Sequence, residues 1–418
     1  MGTPYDDRRA NLPDPESAPT LPVPTGVEAG VPGDESSVAS SEPVAPHVPR
    51  RALALSALLP GTGHALLGEW LRGITFLLPW GVLLALAWWA WERIVVARTG
   101  GMENHVALAT LAGLMLILWG GALWDLSVRR RRVVSGGDSQ WTIAARQFRR
   151  NRLAIAGLAI VIVLYLVALL APLLAPYDPI AQHDIARTGY LSPRGEYLLG
   201  TDRFGRDVLS RIIYGARISL AIGFIATAIS VTIGTLLGAL AGYFGGRVDT
   251  LIMRFTDMVL AFPRLVLLIM IVALFGPSLT IIILVLGLTQ WPGTTRIVRG
   301  DVLSLREREF VHAAHALGMS RGRIMLRHII PNVLAPVIVT ATLGIGNTIV
   351  MEAGLSFLGL GVQAPTPTWG SMVAEGRDNL LGAWWVATFP GLTIVLVVLA
   401  FNLVGDGLRD ALDPRLRT

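Results

Sequence analysis

Two imidazoles three residues apart share one face of a helix, and His312-x-x-His315, with His328 nearby, is a spacing that could hold a metal ion. The neighbourhood offers no thiolate and no well-spaced carboxylate, so ordinary surface histidines are the better reading. Asp406, Asp410 and Asp413 form a second cluster, but Arg409, Arg415 and Arg417 neutralise it and helix-end charge explains it without a metal. His64 and Glu69 flank the Pro60-Gly61 break, where polar residues beside a turn at a membrane surface are commoner than ligands. The glycine pairs Gly61-x-Gly63 and Gly359-x-Gly361 lack the strand-to-helix context of a dinucleotide site, and residue order alone supports no Ser-His-Asp triad.

What is missing decides more. The 418 residues include no cysteine, which removes disulfides, thiolate catalysis and iron-sulfur ligation. All 35 basic residues are arginine, so neither a phosphate-binding loop with its lysine nor a lysine Schiff base exists here. Any nucleotide hydrolysis must come from a partner, and we expect no catalytic residue, no metal and no cofactor on this chain.

Hydrophobic residues make up 53% of the chain and charged ones 15%, against about 25% charged in a soluble domain. That balance describes a membrane protein. The net charge of +6 then fits arginine clusters at the cytoplasmic ends of membrane helices better than it fits nucleic acid.

Residues 1–50 hold ten prolines among scattered acids and no apolar period, which predicts a disordered cytoplasmic arm and no signal peptide. Residues 51–128 read as an N-terminal membrane hairpin, with spans at 73–91 and 106–124, each near the roughly 20 residues that cross a bilayer. The stretch 52–67 is apolar but short, and its Pro60-Gly61 break predicts a re-entrant or interfacial segment. Residues 129–152 form a linker with eight arginines and one aspartate, a strong cytoplasmic signal.

The core, 153–418, carries six expected spans at 153–175, 216–241, 258–276, 279–297, 333–351 and 384–405. Fixing the linker inside puts 176–215 and 352–383 outside, and puts both termini and 298–332 inside. None of these stretches shows a charged residue near its centre, which argues against a proton- or sodium-coupled carrier. Gly234, Gly238 and Gly242, spaced by four, predict close helix packing.

The inner loop 304–331 is long for a connection and looks folded. Ser304 with Glu307 forms a capping-box pattern, Phe310, Val311, Ala314 and Leu317 fall on one helical face, and Gly318 provides a stop. Ser320 can cap a second helix through Ile324, Leu326 and Ile329, closed by Pro331, with Arg321 on its polar flank. Two short amphipathic helices joined at a glycine make a knob. Chemistry alone leaves two homes for it, a socket in a partner or the lipid headgroups.

The run Ala313-Ala314, Gly318 and Ile329-Ile330-Pro331 resembles the "EAA" loop of permease subunits in bacterial ATP-binding-cassette importers, with His312 where that motif usually has Glu. Residues 199–211 (LGTDRFGRDVLSR), 352–361 (EAGLSFLGLG) and 401–414 (FNLVGDGLRDALDP) resemble, in the same order, the second, shorter permease of the oligopeptide, dipeptide and nickel importers. The resemblance covers about 140–418 and leaves 1–128 unexplained.

It implies an all-α polytopic permease of the prokaryotic plasma membrane, a six-helix core with an extra N-terminal hairpin. Expected partners are a second permease, two ATPase subunits that use ATP and Mg, and an extracytoplasmic peptide-binding protein. Phe310, Val311, His312, Ala313, Ala314, Leu317, Gly318, Arg321, Ile324 and Pro331 are then the ATPase-coupling residues. Asp202, Arg206, Asp207, Glu352 and Trp369 are expected in the outer segment that meets the binding protein. Asp202 is also a candidate cap for a helix in which Asp207 and Arg211 pair, and Glu352, near the outer water, is a candidate gate. Nickel or another small solute is the variant substrate, and a stand-alone channel or carrier, or a non-transporting scaffold, the reading from another class.

Overall fold

The computed structural model describes residues 52–89 except 53, 54, 58 and 68, residues 102–129, and residues 140–412 except 183. The expected arm 1–50 and most of the arginine run 129–132 lie outside them. Helices dominate, and the described residues form no strand, only an isolated bridge between Thr201 and Asp207. The chain is an all-α polytopic membrane protein.

The N-terminal part consists of α1 (Thr62–Leu66), α2 (Trp70–Trp89) and α3 (Met102–Arg129). The chain does break near Pro60, with Gly61 at φ +93°. Beyond the break, α1 folds back on the hairpin: His64 is buried, stacks on Phe76 and meets Asp125 of α3 at 3.0 Å. This pair anchors the turn and accounts for His64 without a ligand. The hairpin rests on the core through Leu83, Ala107 and Leu111 against Leu170 and Leu173. Helix α3 is long and apolar enough to span, whereas the apolar part of α2, Arg72–Trp88, is shorter than a perpendicular crossing requires.

In the core, α4 (Gln140–Arg150) leads into α5 (Arg152–Leu169), whose first turn is capped by the Asn151 side chain. The other long helices are α6 (Val208–Phe244), α9 (Leu279–Arg306), α11 (Ile330–Phe357) and α13 (Trp385–Leu412). Between α6 and α9 the expected span 258–276 is broken. There α7 (Gly246–Ala261) and α8 (Arg264–Phe275) meet at 81° across Phe262 and Pro263. Proline fixes its own φ and disfavours helix in the residue before it, so the chain turns there. The bend carries Arg264 against α9, where its Nη2 donates to Gln290 Oε1 at 2.9 Å. The expected span 258–276 thus carries Arg264 three residues from its midpoint, and the expectation of no charge near a span's centre fails there.

The Gly234, Gly238 and Gly242 ladder does pack helices. A Cβ at Gly238 would lie 2.6 Å from the Thr295 carbonyl and 2.8 Å from Val298 Cβ, and one at Gly242 would lie 2.9 Å from the Arg299 carbonyl. Helices α6 and α9 thus touch backbone to backbone. Gly238→Leu should force them apart at a cost of about 1–3 kcal/mol or more, read as a lowered melting temperature of the solubilised protein.

Candidate functional site

The knob begins where α9 ends, at Arg306, and not at Ser304, which lies inside α9. Helix α10 (Glu309–Ala316) starts at Arg308 without a side-chain cap, so the expected capping box does not form. Gly318 behaves as expected. At φ +76° it follows Leu317, its N–H donates to the His315 carbonyl at 3.0 Å, and the Met319 N–H donates to the Ala314 carbonyl at 3.2 Å. Those bonds form the Schellman closure that glycine in the left-handed region makes easy.

After Gly318 the chain does not form a separate second helix. A single turn, Arg321–Ile324, runs through a π-helical turn, Met325–Ile329, straight into α11. Pro331 lies just past the π-helical turn, at the second residue of α11, and the helix runs on through it, so it closes no helix. The knob is therefore continuous with a long membrane helix.

Burial divides the expected apolar ridge. Val311, Ala314, Ile324 and Ile329 pack with Ala239 and Tyr243 of α6, Val298 and Val302 of α9, and Val333 and Val337 of α11. His315 Nε2 lies 3.2 Å from the Tyr243 hydroxyl, adding a polar tie to α6. Facing away are Leu317, 81% exposed, Leu326, 64% exposed, and Phe310, with His312, Ala313 and Arg321 beside them. One side of the knob is bolted to three membrane helices and the other is a free apolar tip with cationic borders.

At the opposite end of α6 lies a buried ion network. The segment before α6 turns twice through glycine, and its Asp202 carboxylate accepts from the Phe204 N–H at 2.8 Å, the Arg206 N–H at 3.0 Å and Arg206 Nε at 2.7 Å. Arg211 also donates to Asp202. Both arginines reach Glu375 of α12 (Trp369–Arg377): Arg206 Nη2 at 2.9 Å, Arg211 Nη1 at 2.7 Å and Arg211 Nη2 at 3.0 Å. Trp385 of α13 closes the cluster by donating to the Thr201 carbonyl at 3.1 Å.

Here several expected roles change. Asp207, not Asp202, caps α6, accepting from the Ser210 N–H and hydroxyl at 2.8 and 2.7 Å. Burial nevertheless pushes its carboxyl up, because those bonds only partly offset the lost hydration. Arg211 pairs with Asp202 and Glu375 and not with Asp207. Trp369 is fully buried, with its indole N–H on the Ile212 carbonyl at 3.0 Å. Glu352 is 1% exposed and not near water: Ser356 and Thr368 donate to its Oε1 at 2.7 and 3.1 Å. Asp202, Arg206, Asp207, Glu352 and Trp369 therefore have almost no surface to offer another protein. They lock the end of the bundle. Glu375, the acid that completes the network, escaped the sequence reading because nothing local marks a partner more than 160 residues away.

A long-helix bundle with a mounted knob on one end and a locked cap on the other is that of a polytopic membrane protein. Residues 234–418 match the family model described as the binding-protein-dependent transport system inner membrane component, and residues 139–193 match the N-terminal TM domain of oligopeptide transport permease C. The chain is 48% identical to the dipeptide transport system permease protein DppC of Alkalihalophilus pseudofirmus over 280 residues, 67% of this chain and 91% of that one. It is 46% identical to the di/tripeptide permease DppC of Pseudomonas aeruginosa over 279 residues, 65% of this chain and 91% of that one. It is 42% identical to the oligopeptide permease OppC of Haemophilus influenzae over 281 residues, 67% of this chain and 90% of that one. The chain belongs to the family of inner-membrane components of binding-protein-dependent transport systems. Residues 1–138 lie outside both family matches.

Proposed function

We propose that the chain is one of two permease subunits of an ATP-driven importer of di- or oligopeptides, working with two ATPase subunits and an extracytoplasmic binding protein. The observation that carries this is the two-sided knob. An apolar tip formed by Leu317, Leu326 and Phe310 suits a groove in a soluble partner, while Val311, Ala314, Ile324 and Ile329 fix the tip rigidly to α6, α9 and α11. Motion of the partner is then passed to the spans as rigid-body movement. A helix resting in lipid headgroups needs no such mounting.

In this reading the knob, the N-terminus and the C-terminus face the cytoplasm, which agrees with the eight arginines of 129–152. ATP and Mg act in the partner subunits. The peptide assignment follows the relatives described above. At the other end the exposed Leu198, Leu358, Leu381 and Trp384, and not the buried network, are the groups available to a binding protein.

The test is uptake of labelled di- and tripeptides by cells with and without the gene. Loss of uptake on deletion, restored by the full chain and not by a chain lacking 306–330, is expected. Uptake that persists without the gene, or without 306–330, overturns the reading, and flux in vesicles that lack ATPase subunits would favour a stand-alone carrier.

A further inference from the structure

Arg264 of α8 and Arg296 and Arg299 of α9 have neighbourhoods that differ in one respect. Arg296 pairs with Asp257 at 2.6 Å, and Arg299 pairs with both oxygens of Asp249 at 2.5 and 2.6 Å. Arg264 has no carboxylate within ion-pair distance among the described residues. Its one hydrogen-bond partner there is a neutral carbonyl oxygen, Gln290 Oε1, and its buried Nε has none.

That cation is held in a polar chain that crosses the bundle. Gln290 Oε1 also accepts from the Thr348 hydroxyl of α11 at 3.0 Å, and Thr348 lies 3.1 Å from the Thr227 hydroxyl of α6. Gly344 leaves the space for this chain, since a Cβ there would meet Thr227 at 3.0 Å and Gln290 at 3.3 Å. The depth is central. At 1.5 Å per residue Gln290 lies about 17 Å along α9 from Leu279, two residues past the midpoint of the expected span 279–297 and so near the middle of a roughly 30 Å hydrocarbon layer. A charge at that depth is expensive unless it serves a pathway, and one without a counter-ion is more so.

We propose that Arg264, oriented by Gln290, is a carboxylate-binding site at mid-membrane that receives the C-terminal carboxylate of a passing peptide. A guanidinium has five N–H groups, and the bond to Gln290 uses one. The remainder suit the two-pronged hold that arginine gives a carboxylate. The partial exposure of both Arg264 and Gln290 leaves the site open on one side, while Thr348 and Thr227 behind it are buried. This site rests on the peptide-importer reading, and it specifies what end of the peptide the chain touches.

The experiment uses the assembled transporter, this chain with its permease and ATPase partners, in nanodiscs without nucleotide or binding protein. Binding of a tripeptide with a dye on its N-terminus is compared with binding of the same peptide as its C-terminal amide. The wild-type assembly should bind the acid about tenfold or more tightly than the amide, the scale of a charge-assisted hydrogen-bonded pair. Arg264→Gln should abolish that preference and Arg264→Lys should keep a few-fold remnant. Equal binding of acid and amide by the wild type, including no binding of either, overturns the site without recourse to any variant. So does an acid preference that survives in Arg264→Gln, and so does an acidic residue of the second permease found paired with Arg264. The importer reading is judged separately, by uptake: absent uptake with an intact acid preference removes that reading and leaves the site standing.

Discussion

Arg211→Met should lower the stability of the assembled protein by about 3–5 kcal/mol, the usual consequence of removing one member of a buried ion pair. Among the described residues Arg211 is the largest charged side chain that is fully buried, and the only group that bonds Glu375 through two of its nitrogens. Without it, Arg206 is the one cation left among the described partners of Asp202 and Glu375, and the loss is one of desolvated charge more than of attraction. The effect should appear as a lower melting temperature and as faster proteolysis within 176–207. Arg211→Lys, which keeps the charge but not the fork, should lose less. An unchanged melting temperature for Arg211→Met would mean that the network does not hold the cap.

The two sides of the knob should separate by substitution. Val311→Asp places a carboxylate among Val298, Val302, Ile324 and Val333, with no cation among those neighbours, and should cost several kcal/mol because a buried charge is left unpaired. The solubilised chain should melt early, and transport should fail with it. Leu317→Asp lies at a position 81% exposed and should leave the melting temperature within about 0.5 kcal/mol of equivalent stability. Its effect should fall on ATPase co-purification and peptide uptake, both reduced tenfold or more if the tip is seated in an apolar groove. A Leu317→Asp chain that keeps its ATPase and its uptake would remove the tip from the coupling route.

These two variants also mark where the sequence was legible. Long apolar runs made the helices plain, and the glycine at 318 and the spacing of Gly234, Gly238 and Gly242 led to the right local structures. The ridge of Phe310, Val311, Ala314 and Leu317 was visible, but its division was not. At about 100° per residue the four span some 120° of a short helix, and only contact with α6, α9 and α11 decides which edge is covered. Proline misled for a similar reason. Pro292, Pro336 and Pro390 lie inside continuous helices, while Pro263 stands at the 81° break. Membrane helices tolerate proline when neighbours satisfy the freed carbonyls, so the residue type alone does not say which one bends the chain. Arg264 lay within the expected span 258–276, but only the break at Phe262 and Pro263 decides that it meets Gln290 of α9 and no carboxylate among the described residues. Burial of Glu352 and Trp369 is likewise a tertiary fact: Thr368 covers Glu352, Trp369 packs among Ala216, Leu220, Ile349 and Phe401, and no local pattern records it.

The absence of cysteine provides the most direct test of the mechanical claim. Single cysteines can be introduced as Leu317→Cys at the knob and Leu381→Cys, fully exposed, at the other end of the bundle, and treated with a short bifunctional thiol reagent in membranes containing all subunits. Leu317→Cys should cross-link to an ATPase subunit in a nucleotide-dependent manner, and Leu381→Cys should not. Failure of Leu317→Cys to reach any ATPase under conditions in which the assembly imports peptide would contradict the account.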